Sequence, residues 1–320
     1  MAMNSNAFVT FVMLNDHYIP GALVFAFALK KQHVSSDLVC LITPDISKPA
    51  KTALTHLFDD VIETDPLVVR NKGCRFFQVR SFLFTRFQAF RLGKDGDLGK
   101  GYDKLLVCDA DVLPIKDYEF LFDIDAPAGI LNESKDNCVA SIDGRYLDTT
   151  TDATPTKWHW HRIYQAIPHG SVIPAGITDR VCEDNDNMGI NSCLYRIDPN
   201  LTDYQSIVAD TKSGNSCQKI ADFRWPEMQY LSQKFSGLWH NIDLTYASFE
   251  GYPKLSILNG THFAGLKPWN IRHPSVRHYA KYPDFQLFFR TYLEMMQTVP
   301  DLRNYLRLVQ IETQFQSWIR

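Results

Sequence analysis

At 320 residues, 45% hydrophobic and 22% charged, the chain can bury a sizeable core, which excludes a disordered or fibrous protein. Thirty-three basic against thirty-six acidic residues leave a net charge of −3, which excludes a broad cationic face and, with it, nucleic acid as a partner. The seven cysteines are odd in number and never fall in Cys-x-x-Cys spacing, so reduced thiols and a cytoplasmic location are expected rather than a disulfide framework or zinc site.

Ala7 to Met13 reads as a first buried strand, followed by a turn at Asn15-Asp16. From Tyr18 to Gln32, Leu23, Phe27 and Ala28 recur at helical spacing, and Lys30 and Lys31 suit the C-terminal end of the helix dipole. Asp37 to Thr43 is a second strand, Ser47 to Phe58 a second helix and Val61 to Glu63 a third strand. Strands alternating with helices of this length predict a parallel sheet covered on both faces. No basic segment leads into an apolar run of signal length, and no run reaches the roughly 18 apolar residues of a spanning helix, so no transmembrane segment is expected.

Arg80 to Leu92 is expected to be helical, with Phe82, Phe84, Phe87 and Phe90 as core residues, and Gly93 to Gly101 forms a loop. Lys104 to Cys108 is then a buried strand that runs into Asp109-Ala110-Asp111. Side chains two apart on an extended segment point the same way, so the two carboxylates repel unless a cation or hydrogen bonds hold them. An all-oxygen pair suits a hard divalent ion that also takes ligand phosphates. An Asp capping the next turn beside a solvated neighbour is the plain alternative. The position of the pair, at the end of roughly the fourth strand of a nucleotide-fold-like half, favours a ligand site, because open α/β sheets bind ligands beyond the carboxyl ends of their strands.

Residues 136–183 change character, with threonines over 149–156 and then Trp158-His159-Trp160-His161. Such an insertion predicts a lid or acceptor-binding loop. His159 and His161 lie two apart as metal ligands can, but no two further ligands lie near them in sequence, and a sugar-stacking or packing role for the aromatics is preferred. Helices are expected from Thr202 to about Ser213 and from Pro226 to Phe235, and a strand from Leu255 to Leu258. The last forty residues read as helical, with Phe285, Phe288, Phe289, Tyr292 and Leu293, then Leu302, Tyr305, Leu306 and Val309 forming a stripe for the core or for a homodimer contact.

Several motifs, in order over residues 7 to 270, carry a family resemblance. Phe11 to Ala22, Thr85-Arg86-Phe87-Gln88-Ala89-Phe90-Arg91-Leu92, Asp109-Ala110-Asp111, Asn191-Ser192-Cys193, Glu227-Met228-Gln229-Tyr230-Leu231 and His262-Phe263-Ala264-Gly265-Leu266-Lys267-Pro268-Trp269 together resemble the glycogenin-like glycosyltransferases of family eight. That resemblance implies an α/β protein of GT-A fold: a Rossmann-like nucleotide-binding half with a mixed central sheet, and a helical C-terminal tail. It implies a GT-A domain over 1–273, divided into a nucleotide-binding half (1–115) and an acceptor and catalytic half (116–273), with a C-terminal extension over 274–320.

The resemblance further implies a manganese or magnesium ion held by Asp109, Asp111 and His262, and a UDP-sugar donor. Val12, Leu14, Asn15, Tyr18, Ala110, Ser192, Gly265 and Lys267 fall on donor-binding positions, and Glu227, Asn191, Arg86 and Lys267 on catalytic ones. Hexose transfer with retention, to a glycan or protein acceptor, is the implied activity. Tyr146, Tyr164, Tyr195 and Tyr204 could host self-glucosylation, and their context singles none out. Met228 stands where the family has a Gln, with Gln229 one position off, and Cys193 replaces a Gly. These departures leave a catalytically weak or inactive sugar-nucleotide binder as an alternative. The strand leading into Asp-x-Asp-Val-Leu also resembles the first motif of haloacid-dehalogenase-type phosphatases, although here a full βαβα half precedes it.

Overall fold

A computed structural model describes residues 4–69, 78–131, 138–140, 146–148, 167–183, 187–212, 214–251 and 254–319. Trp158 to His161, Tyr164 and much of the 136–183 insertion lie outside these residues.

The N-terminal half forms as its apolar runs require. Strands β1 (Asn6–Val12), β2 (Asp37–Ile42), β3 (Asp60–Glu63) and β4 (Lys104–Cys108) are parallel neighbours in the order β3-β2-β1-β4. In β2 and β4 every residue after the first is buried, as expected for parallel strands covered on both faces. Helix α1 (Ile19–Lys31) has Pro20 in its first turn, where the missing N–H costs nothing, and Lys30 and Lys31 in its last. Its residues from Ile19 to Leu29 are all buried. Helix α2 (Lys48–Thr55) starts at Ser47, whose hydroxyl accepts from Ala50 N at 3.4 Å.

The stretch Gln78–Leu92 is helical as expected but winds as a 3-10 helix. Its phenylalanines explain the choice. Phe84, Phe87 and Phe90 are three apart and all buried, so three residues per turn stack them on one face. Successive rings meet at 5.1 and 6.3 Å.

Beyond β4 the sheet becomes mixed. Strand β5 (Val112–Pro114) leaves it, β6 (Ala128–Leu131) joins it, and β7 (Cys138–Ala140) pairs β8 (Tyr146–Asp148) in a separate two-stranded ladder. Strand β9 (Ile190–Ile197) lies antiparallel between β4 and β6, and β10 (His240–Asn241) pairs β6 in parallel. The seven-stranded order is β10-β6-β9-β4-β1-β2-β3. A three-stranded sheet joins β11 (Ser248–Phe249), β12 (Gly260–His262) and β5.

Helix α3 (Leu201–Lys212) matches expectation. A further helix, α4 (Gly214–Asp222), was not expected; it opens on Gly214 at φ +76°, a backbone angle that glycine adopts without strain. Helix α5 (Pro226–Lys234) follows. The expected strand over Leu255 to Leu258 is instead a 3-10 turn at Leu255–Ile257, with Ile257 47% exposed. Apolar residues of which only Leu258 is buried gave that false signal, and the strand is β12, a few residues later.

The tail folds into α6 (Pro274–Tyr279), α7 (Pro283–Thr298) and α8 (Leu306–Trp318). Its stripe is mostly consumed inside the chain: Phe285, Phe288, Phe289, Tyr292 and Leu302 are buried, and Phe289 meets Phe315 at 4.2 Å between ring centroids. Leu306, by contrast, is exposed.

Asp16 ties this tail to the first half. Its carboxylate accepts from Ser47 N (3.0 Å), Ser47 Oγ (2.6 Å) and Tyr305 OH (2.8 Å). Partial burial pushes the carboxyl up, but the Ser47 and Tyr305 bonds and the Arg307 charge outweigh it and leave it below its ordinary value. A depressed folded-state pKa contributes stability above the unfolded value and loses it as pH falls through the folded one. Asp16→Asn is therefore expected to melt earlier than the parent at neutral pH, with the gap closing below about pH 4. Melting curves across pH check this; a gap that persists undiminished in acid would refute the assignment.

Candidate active site

Strand β1 has β2 on one side and β4 on the other, so the chain reverses direction across the sheet there, and a crevice opens at the carboxyl ends of β1 and β4. Asp109 follows β4 directly, and its N–H donates to Cys193 O on β9 at 2.8 Å. The turn closes when Val112 N donates to Asp109 O at 3.1 Å. Strand β12 runs antiparallel to β5 with His262 opposite Val112, and Phe263 N donates to Asp111 O at 2.9 Å. This register, joining positions about 150 apart in the chain, sets the His262 imidazole beside Asp111, with Nε2 3.3 Å from Oδ1.

Two cations complete the cluster. Arg86, from the 3-10 helix, places Nη2 3.2 Å from Asp109 Oδ1 and donates through Nη1 to Ser192 O at 2.6 Å. Its guanidinium also lies over the Phe11 ring at 4.8 Å. Lys267 Nζ lies 2.5 Å from Asp111 Oδ2 and donates to Phe263 O at 2.5 Å. Burial alone would raise both carboxyls. For Asp111, the Lys267 ammonium and His262 outweigh burial and hold the carboxyl well below its usual range. For Asp109, burial wins over the Arg86 charge, the Asp111 carboxylate adds to it, and the carboxyl is pushed up. Burial lowers Lys267, but Asp111 more than reverses this and keeps the ammonium charged.

Asp109, Asp111 and His262 bring one ligand atom each to within 4.8 Å of one another. Beyond the approaches of Arg86 and His262 just given, Asp109 Oδ1 and Asp111 Oδ1 are buried with no well-formed hydrogen bond among the described residues, and His262 Nδ1 is likewise buried without one. Two carboxylates and an imidazole with unspent lone pairs fit a divalent ion of the manganese or magnesium kind.

A cavity of about 230 Å³ adjoins the carboxylates, and Leu14, Asn15, Tyr18, Ala110 and Arg86 line it together with both aspartates. Other residues singled out in the sequence lie elsewhere. Val12 is buried in β1, where its carbonyl accepts from Thr43 N, and it forms no part of the cavity wall. Asn191 Oδ1 accepts from Cys193 N at 3.0 Å, Ser192 offers its carbonyl to Arg86, and Gly265 N donates to Glu250 Oε1 at 3.3 Å. Glu227, buried in the first turn of α5, lies within electrostatic reach of Arg86. Gln229 is fully buried, its Oε1 accepting from Trp225 N at 2.7 Å and its Nε2 donating to Asn187 O at 2.9 Å. Of the candidate acceptor tyrosines, Tyr195 is wholly buried in β9 and presents no surface for glucosylation.

Phe11, Met13, His17 and Leu83 also line the cavity and were not singled out in the sequence. Phe11 and Met13 did carry a signal: they are two apart where β1 runs out, and so face the same side. Leu83 carried none, because it reaches the site only through the 3-10 winding of its segment.

No family model matches the chain. It is 26% identical over 283 residues to an uncharacterised protein of Acanthamoeba polyphaga mimivirus, covering 84% of each. It is 32% identical over 126 residues to human glycogenin-2, covering 38% of this chain and only 24% of that protein. It is also 22% identical over 326 residues to Arabidopsis thaliana galactinol synthase 1, covering 94% of this chain and 86% of that protein. Among solved structures, the apo form of the WbbM bifunctional glycosyltransferase superposes with a TM-score of 0.54 at 14% identity, over 96% of this chain and 52% of that one. In sequence the chain is similar, at partial identity, to glycogenin and galactinol synthase of glycosyltransferase family eight, and its architecture is the GT-A fold.

Proposed function

We propose that this chain is a metal-dependent, retaining hexosyltransferase that moves glucose, galactose or N-acetylglucosamine from a UDP-sugar to a glycan or protein acceptor. The observation that carries the reading is the cluster at the switch point: Asp109, Asp111 and His262 converge within 4.8 Å, flanked by Arg86 and Lys267 and opening on the cavity. A monoanionic partner would not need two cations and three metal-ligating groups in one crevice; a departing nucleoside diphosphate does.

Asp109, Asp111 and His262 would hold manganese or magnesium, which when bound neutralises charge on the leaving diphosphate. Lys267, fixed by Asp111 and the Phe263 carbonyl, supplies a second positive charge to the same group. Leu14, Asn15 and Tyr18 receive the nucleoside. Arg86 holds Asp109 and the β9 backbone in one geometry, and Glu227 and Asn191 position the sugar from its far side. The acceptor hydroxyl attacks from the face the diphosphate leaves, and a diphosphate oxygen takes its proton. In this reading residues 1–115 bind the nucleotide, 116–273 the acceptor, and the 136–183 segment touches the acceptor. Cys40, Cys108, Cys182, Cys193 and Cys217 are free thiols, which fits a reducing, cytoplasmic setting.

UDP release measured over a panel of UDP-sugars, with manganese and with chelator, tests the proposal. Release from one sugar that depends on metal and is abolished in Asp109→Ala/Asp111→Ala is expected. Phosphatase activity, or turnover indifferent to chelator, would overturn it. The engaged amide of Gln229 beside Met228 favours a second reading, a sugar-nucleotide binder with little turnover. Tight UDP-sugar binding without release from any panel member would select it.

A further inference from the structure

A second cavity, of about 470 Å³, shares His17 with the first. One wall is the segment from Trp269 to Arg272, which follows the Lys267 motif; the other is α8, through Arg307, Gln310 and Ile311. Two guanidinium groups and an imidazole line it, and among the described residues no carboxylate does. Arg272 is exposed and has no ion pair among the described residues. Arg307 Nη2 lies 3.3 Å from His17 Nδ1. A guanidinium only donates, so Nδ1 accepts and the ring proton sits on Nε2. Arg307 acts electrostatically on the Asp16 carboxylate, which is already engaged by Ser47 and Tyr305. Asn270 and Gln310 add side-chain amides to the lining, and the buried indole N–H of Trp269 has no partner among the described residues.

Guanidinium groups present planar, forked donors that match phosphate and carboxylate oxygens, and a neutral hydroxylated ligand would leave their charge unanswered. We propose that this second cavity is an oxyanion site, separate from the place of the donor diphosphate, that takes a phosphate or carboxylate group. Such a group reaches it either as the charged end of an acceptor or as a free anion that modulates the enzyme. Only the acceptor form rests on the transferase reading; binding itself does not.

Inorganic phosphate is the probe, titrated calorimetrically in chelator and again with magnesium and saturating UDP. Saturable binding that survives UDP is expected, weakened about tenfold in Arg272→Gln and lost in Arg272→Gln/Arg307→Gln. Arg307 also holds His17, so Arg272→Gln, at an exposed position, carries the test if the double variant melts early. No saturable binding, displacement by UDP, or an unchanged affinity in Arg272→Gln would overturn the proposal. Glucose 6-phosphate separates the two sources in the UDP-release assay. Its consumption as substrate marks an acceptor, and a changed rate without consumption, reproduced by inorganic phosphate, marks an effector. Phosphate binding with the expected variant pattern in a protein that never releases UDP would leave this site standing and defeat the transferase reading alone.

Discussion

Lys267→Met is expected to lower turnover by about two to three orders of magnitude and folding stability by about 3 kcal/mol. The ammonium lies 2.5 Å from Asp111 Oδ2, with Lys267 12% and Asp111 7% exposed, so the pair has little water to fall back on. Removing one partner of a buried pair strands the other, and the stranded carboxylate here is already crowded by Asp109. Two further arms separate the losses. Lys267→Met/Asp111→Asn should recover much of the stability in urea denaturation, because no carboxylate is then stranded, while staying inactive. Manganese should stabilise Lys267→Met more than it stabilises the parent, without restoring UDP release. A single variant as stable as the parent in chelator would show that the ion pair does not hold the site together.

Gly21→Ala, although Gly21 belongs neither to the Asp109–Asp111–His262 cluster nor to the cavity lining, is expected to cost about 1–3 kcal/mol and to weaken manganese binding. Gly21 sits in the first turn of α1. A methyl group there would press into the carbonyl oxygen of Ala110 and lie 2.5 Å from the Trp269 ring. Ala110 is the residue between the two aspartates, so relief of the clash moves their spacing. Trp269 is buried against Phe288 of α7, at 5.4 Å between rings, and cannot retreat cheaply. Gly176→Ala is the control: a methyl group at that position would meet none of the described residues within 4 Å, and in the helical turn Ala175–Thr178 it should be neutral or slightly stabilising. Thermal melts and a manganese titration of both variants read the difference. Equal behaviour of the two would mean that the helix does not set the carboxylate spacing.

The parts of this molecule that could be read from sequence are those whose cause is local. The β1, β2 and β4 runs are apolar because they are buried on both faces, and the aspartates declare themselves by ending one of them. The three-residue spacing of Phe84, Phe87 and Phe90 was present in the sequence but was read as core packing without its period. Strands β10, β11 and β12 are two or three residues long, too short for any alternation to emerge, so the sheet that delivers His262 was invisible until the fold was in hand. The motif around Lys267 named side chains, and only the fold shows that Lys267 meets Asp111 and the Phe263 carbonyl. The His17–Arg307 and Asp16–Tyr305 contacts join positions 290 and 289 residues apart, and no local pattern encodes such a meeting.

The placement of β9 has a consequence for biosynthesis. Residues Leu105 to Cys108 of β4 are fully buried, and one edge of that strand is covered only by β9, which is made more than eighty residues later. Until β9 arrives, or in any fragment that stops short of it, β4 is an uncovered apolar edge strand with free backbone donors and acceptors, the kind of template that recruits a neighbouring chain. A truncated N-terminal half should therefore aggregate rather than fold as a separable unit, and the growing polypeptide should depend on chaperones over that interval of its synthesis.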